Sequence, residues 1–206
     1  IYAEFDADLP WTTNILISMS NFVTSYWWIL LLILVILVVG GKAYLDTEKG
    51  KRVFHKLMVN LPIVKDVVTK MQIAQFTRVL GLLISSGLPI LDALDLTANS
   101  LSNTLFKDVV LDAKDEVEKG GSLAIPISRS DYYPLLVSSM IAVGEETGNL
   151  DVVLDKVAQY YKEEVNQATQ NLSSILEPVF LIIMGGTIGF ISLAIYMPMF
   201  QLTEVI

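Results

Sequence analysis

The chain has 206 residues, 53% of them hydrophobic and 17% charged, with a formal net charge of −8. So apolar a composition points to membrane-spanning segments before it points to a soluble fold. There is no cysteine and one histidine, His55, which excludes a disulfide framework, an iron–sulfur cluster, a thiolate zinc site and a histidine-built metal centre.

The chain begins at Ile1 rather than a methionine, which suggests a fragment or a processed form. Residues 1–21 carry Glu4, Asp6 and Asp8 and no Lys or Arg. From Phe22 to Gly41, FVTSYWWILLLILVILVVGG gives 20 residues without a charge. As a helix it is about 30 Å long, one hydrocarbon thickness. Tyr26, Trp27 and Trp28 near its start suit the lipid–water interface. Acidic residues ahead of so long an apolar core argue against a cleaved signal peptide. A second uncharged stretch of 22 residues, Val179 to Phe200, predicts a second span.

Charge sets the expected orientation. Lys42 to Arg78 holds eight basic residues against three acids, a net of +5, whereas Val79 to Pro178 holds six against fifteen, a net of −9. The positive-inside tendency predicts that residues 42–178 face the cytoplasm, with 1–21 and the tail 201–206 outside. Residues 42–65 read as a basic juxtamembrane linker whose partner is anionic lipid rather than nucleic acid. His55 in this stretch reads as a surface residue near the headgroups. The acidic part projects a solvated face that could also meet a basic partner.

Residues 66–178 read as a helical domain. Ile73, Phe76, Leu80, Leu83 and Ile84 draw one apolar stripe at helical spacing, closed by Gly87, with Pro89 opening the next helix. A further helix over Thr104–Lys119 is expected to turn Leu105, Val109 and Ala113 inward and Asp108, Asp112, Asp115, Glu116 and Glu118 outward. GGS at 120–122 breaks it, and Ser130, Asp131 and Pro134 announce another, LLVSSMIAVGEE. Gly148 then ends one helix and Asn149 caps the next. Leu154, Val157, Tyr161, Val165, Ala168, Leu172 and Ile175 form a heptad-like seam, completing a helical hairpin that reaches the second span. No stretch alternates with a strand period, so the fold class is all-α: two transmembrane helices flanking a cytoplasmic helical bundle.

The paired carboxylates Glu145 and Glu146 fall at the tip of that hairpin, at the negative end of the incoming helix, where an acid needs a partner. With Asp151 they outline a possible cation site, although solvated or partner-contacting acids are the plainer reading. Glu177, at the membrane edge, is a candidate contact for an amine of a partner chain or for a basic neighbour such as Lys42. Gly185 and Gly189, with Gly186 beside them, form a small-xxx-small face for close helix approach. Pro178 either kinks the long helix or ends it. No phosphate loop, HExxH or GxSxG motif is present, so no catalytic residue and no cofactor is expected. Neither span carries a central charge, as a channel or transporter would require.

FTRVLGLLISSGLPILDALDLTA (76–98), VGEETGNLD (143–151), YYKEEV and LEP before a terminal span closely resemble the type II secretion F-protein family. This family includes the GspF and PilC inner-membrane platform proteins. The resemblance implies a cytoplasmic domain of about six helices that occurs twice in a full-length member, here the C-terminal copy. It also implies a place at the base of a pilus or secretion machine, with an assembly ATPase, pilin or pseudopilin subunits, other inner-membrane assembly proteins and further copies of itself as partners. The rival is a membrane-anchored helical scaffold, or an enzyme with a carboxylate cation site.

Overall fold

A computed structural model describes residues 11–62 and 64–204, with side chains described through Met197. The first ten residues of the expected external segment and the last two of the tail lie outside them. The described residues form helices throughout: α1 (Trp11–Leu45), α2 (Glu48–Asn60), α3 (Lys65–Ser85), α4 (Ile90–Ser100), α5 (Thr104–Glu118), α6 (Ala124–Arg129), α7 (Leu135–Thr147) and α8 (Leu150–Glu204). They fall into two compact units, one of residues 1–43 and 173–206, the other Tyr44–Leu172.

In the unit Tyr44–Leu172, six helices and the start of α8 enclose one apolar core. Its centre is aromatic: Phe106 packs edge-on to Tyr133 at 5.2 Å between ring centroids, and Tyr133 edge-on to Phe76 at 5.4 Å. Both phenylalanines are fully buried, each contributing about 1.5–3 kcal/mol by burial. Burial pushes the Tyr133 phenol well above its ordinary pKa, so its hydroxyl stays protonated and donates to the Phe106 carbonyl at 3.5 Å.

The α3 stripe is borne out: Ile73, Phe76 and Leu80 are fully buried, with Leu83 and Ile84 packed against them. On α5 the expected face is one residue out of register. Phe106 and Val110 join Ala113 in the core, and Leu105 and Val109 are only half-buried. Asp112, Asp115 and Glu118 are exposed as expected. The α8 seam is buried at Leu154, Val157, Tyr161 and Ala168, and by Ile175 it is exposed.

Two glycines expected to stop helices do so in the left-handed region, Gly87 at φ 82° after α3 and Gly148 at φ 69° after α7. Asn149 precedes α8 as expected, but its side-chain amide donates back to the Thr147 carbonyl at 2.9 Å rather than capping forward. The expected 42–65 linker is instead structured: α2 packs on α3 and α5 and buries Val59. Its start is a tight corner, in which the Thr47 hydroxyl accepts from Gly50 N at 3.1 Å and a Cβ on Gly50 would stand 1.9 Å from the Tyr44 carbonyl oxygen.

The other unit holds most of α1 and the C-terminal part of α8. They meet where the Thr13 hydroxyl donates to the Ala194 carbonyl at 2.7 Å, beside the buried Thr12. The described part of the expected external segment, Trp11 to Asn21, belongs to α1, and α1 is interrupted by a non-helical residue at Tyr26 (φ −117°, ψ 15°). By length and composition three helices could cross a membrane, α1, α3 and α8, where the sequence suggested two. Of these α3 carries Lys65, Asp66, Lys70 and Arg78, and its apolar stripe is enclosed by the bundle. The α1 and α8 stretches instead expose nearly all their apolar side chains, as lipid-facing helices do. Pro178 neither ends nor interrupts α8.

Candidate functional site

The VGEETGNLD corner is built by close approach. Gly144 lets α7 and α8 meet, since a Cβ there would stand 3.0 Å from Cα and Cδ1 of Leu150. The chain then reverses at Gly148, with Asn149 N donating to the Gly144 carbonyl at 3.0 Å. One turn before that close, the half-buried Glu145 reaches across to the loop entering α6. Its carboxylate accepts from Leu123 N at 2.7 Å, from Ala124 N at 3.4 Å and from the Ser122 hydroxyl. The partner that an acid at this helix end requires is therefore supplied by this chain's own backbone. Glu146, one residue on, points away and is exposed. Among the described residues no group of three or more His, Asp or Glu side chains is arranged to hold a metal ion, so Glu145, Glu146 and Asp151 do not converge.

A second polar cluster, which periodicity did not reveal, organises the start of α5. The Asn103 side chain accepts from Leu105 N at 2.9 Å, His55 Nδ1 from Thr104 N at 3.1 Å, and Gln72 Oε1 from Asn103 N at 3.2 Å. Gln72 also donates to the Ser102 hydroxyl at 2.9 Å. The first backbone donors of the helix are thereby satisfied by side chains from α2, α3 and the cap itself. His55 is thus half-buried and engaged, not a free surface residue. Burial, helped by Lys51, holds its pKa below the ordinary histidine value, which keeps Nδ1 an acceptor. The Nδ2 of Asn103 is buried without a partner among the described residues.

Ion pairs tie the helices further. Lys70 on α3 bridges Asp66 at 2.8 Å and Glu164 of α8 at 2.9 Å, and those hydrogen bonds raise its pKa. Lys114 of α5 meets Asp95 of α4 at 2.7 Å, and Arg52 of α2 meets Asp108 of α5 at 3.1 Å. Between α3 and α8 runs a groove of about 720 Å³ bordered by Met71, Leu82, Arg78, Asp155 and Lys162.

In the other unit Gly185, Gly186 and Gly189 are exposed, and a Cβ on any of them would meet nothing within 4 Å. Glu177 is exposed and forms no ion pair among the described residues, with Lys42 or any other base.

These features define a membrane-associated helical-bundle protein whose buried polar groups serve architecture. More particularly, the chain belongs to the type II secretion system protein F family, whose model matches residues 76–198. It is 32% identical over 206 residues to a type IV pilus assembly protein PilC of Myxococcus xanthus, covering 100% of this chain and 49% of that protein. A PilC of Thermus thermophilus is 35% identical over 203 residues, 98% of this chain and 50% of the relative. A type II secretion system protein F of Xanthomonas campestris pv. campestris is 29% identical over 210 residues, 100% of this chain and 51% of the relative. The chain thus spans about half the length of the curated relatives it matches. These relatives are, by name, components of type IV pilus assembly and of type II secretion.

The residues that sequence reasoning missed as working parts are Gln72, His55, Asn103 and Ser122. Asn103 alone had a local signal, a cap residue just ahead of an apolar-periodic run.

Proposed function

We propose that this chain is part of an inner-membrane platform of a bacterial type IV pilus or type II secretion machine. Residues 44–172 would face the cytoplasm and meet an assembly ATPase, and the spans would contact pilin or pseudopilin subunits and other inner-membrane assembly proteins. The observation that carries this reading is the family match, which runs from the bundle into the uncharged stretch of α8. Three features support it. The Lys42–Arg78 positive charge beside the first span favours the cytoplasmic side. Asp112, Asp115 and Glu118 present an exposed acidic face on α5, suited to a basic partner. The unoccupied Gly185–Gly189 face on α8 suits a second helix, from another copy or from a pilin. At the hairpin corner and the membrane edge, Glu146 and Glu177 are exposed and unpaired among the described residues and so available to such partners, whereas Glu145 is held internally.

Cross-linking mass spectrometry of the full-length protein in its native membrane tests this. Links from the exposed Lys119, Lys156 and Lys162 to a hexameric ATPase, with separate links from the spans to pilin, are the expected outcome. Links to neither would overturn the platform reading.

A further inference from the structure

The α2 helix has two faces of different chemistry. Gly50 and Val59 are buried and Lys51, His55 and Met58 half-buried against the bundle. The opposite stripe, at three- and four-residue steps, is Lys49, Arg52, Val53, Lys56 and Leu57, all exposed. Val53 is 58% exposed and Leu57 53%. Three cations interleaved with two branched apolar side chains on one outward face is the pattern of an interfacial helix. Two residues, Asp46 and Thr47, separate α2 from the end of α1.

We propose that the outer face of α2 is a lipid-binding surface: Val53 and Leu57 enter the interfacial region while Lys49, Arg52 and Lys56 meet anionic headgroups. Covalent attachment two residues from a membrane-spanning helix selects lipid as the occupant, because it keeps α2 within reach of the headgroup layer. The net charge of α2 is +3, from four bases against Glu48, opposite in sign to an anionic leaflet. The acid facing this stripe from a neighbouring helix is Asp108 of α5, paired with Arg52. His55 and Lys51 lie on the other face. The inference deepens the platform reading but needs only its first element, that α1 crosses a bilayer.

The absence of cysteine makes the test direct. Single cysteines replace Val53, Leu57 or, as a control, the exposed Leu96 of α4, and carry a nitroxide in the full chain reconstituted into phosphatidylcholine vesicles with or without phosphatidylglycerol. Power saturation should show the labels at 53 and 57 oxygen-accessible and nickel-shielded in anionic vesicles only, with the label at 96 water-exposed throughout. Each cation removed should lower the membrane-associated to free ratio about fivefold, so Lys49→Gln/Arg52→Gln/Lys56→Gln together lower it about a hundredfold. Asp108→Asn, which breaks the ion pair but keeps the cation, should leave lipid contact intact. Labels at 53 and 57 that track the label at 96 in every lipid would overturn the proposal. So would shielding that comes with spin–spin broadening and vanishes on dilution in lipid, because a second copy would then cover the face. Lipid contact without any ATPase cross-link would sink the platform reading alone.

Discussion

Glu145→Ala removes the acceptor for two backbone donors and one hydroxyl. Leu123 is fully buried with the carboxylate in place, so its N–H loses its hydrogen-bond partner when the carboxylate leaves. An orphaned buried donor costs about 1–3 kcal/mol, and the lost bonds to Ser122 and Ala124 bring the expected destabilisation to about 2–3 kcal/mol. Hydrogen exchange of the full chain in nanodiscs reads this locally. Amides over 120–129 should exchange about 30- to 150-fold faster, at one decade per 1.4 kcal/mol. Glu145→Gln retains one acceptor oxygen for Leu123 N but turns an amine towards the remaining donors, so about 1 kcal/mol and a fivefold change are expected. Glu146→Gln, at an exposed site, should stay within about 0.5 kcal/mol of the parent. Unchanged exchange in Glu145→Ala, or equal effects at 145 and 146, would refute a structural role. A calcium-induced rise in melting temperature that disappears in Glu145→Gln would restore the cation reading.

Other substitutions probe the packing. Phe106→Ala empties the aromatic centre and should cost about 3–5 kcal/mol by thermal or urea unfolding. Gly81→Ala puts a Cβ 3.1 Å from Leu154 Cβ, where α3 crosses α8; about 1–3 kcal/mol of overpacking cost is expected, and a neutral result would mean that the crossing yields easily. Gly50→Ala should open the Tyr44–Gly50 corner, since the clash is with a backbone carbonyl, and faster exchange over 47–52 reads it. The His55 pKa is depressed in the folded chain, so the unfolded chain takes up the proton first. Stabilisation from neutral His55 is therefore complete above about pH 6.5 and lost as the pH falls through the folded value. Exchange at the Thr104 amide, corrected for its intrinsic pH dependence, should rise on acidification, and His55→Phe should abolish that slope.

Much of the architecture was legible along the chain. The two uncharged stretches, the α3 stripe, the α8 seam and the glycine stops are local signals, because helical period and hydropathy depend only on near neighbours. Other features were not legible, each for its own reason. The α5 segment carries two adjacent apolar stripes, Leu105 with Val109 and Phe106 with Val110, and its own period does not choose between them. Tyr133 made the choice: Phe106 packs edge-on against it, and Tyr133 packs in turn against Phe76 in the core. The six-residue α6 is too short to show a period, and α2 hid behind its charge.

The candidate site divides the same way. Sequence alone determined that Glu145 sits at an unfavourable helix end and needs a partner, because the helix dipole is a property of the local backbone. Only the tertiary structure decided that the Ser122–Ala124 turn supplies such a partner. Likewise only it turned His55 from a headgroup neighbour into a cap for α5. Those partners lie 21 to 49 residues away, and no periodicity carries information across such a span; the folding of the chain brings them within hydrogen-bond reach.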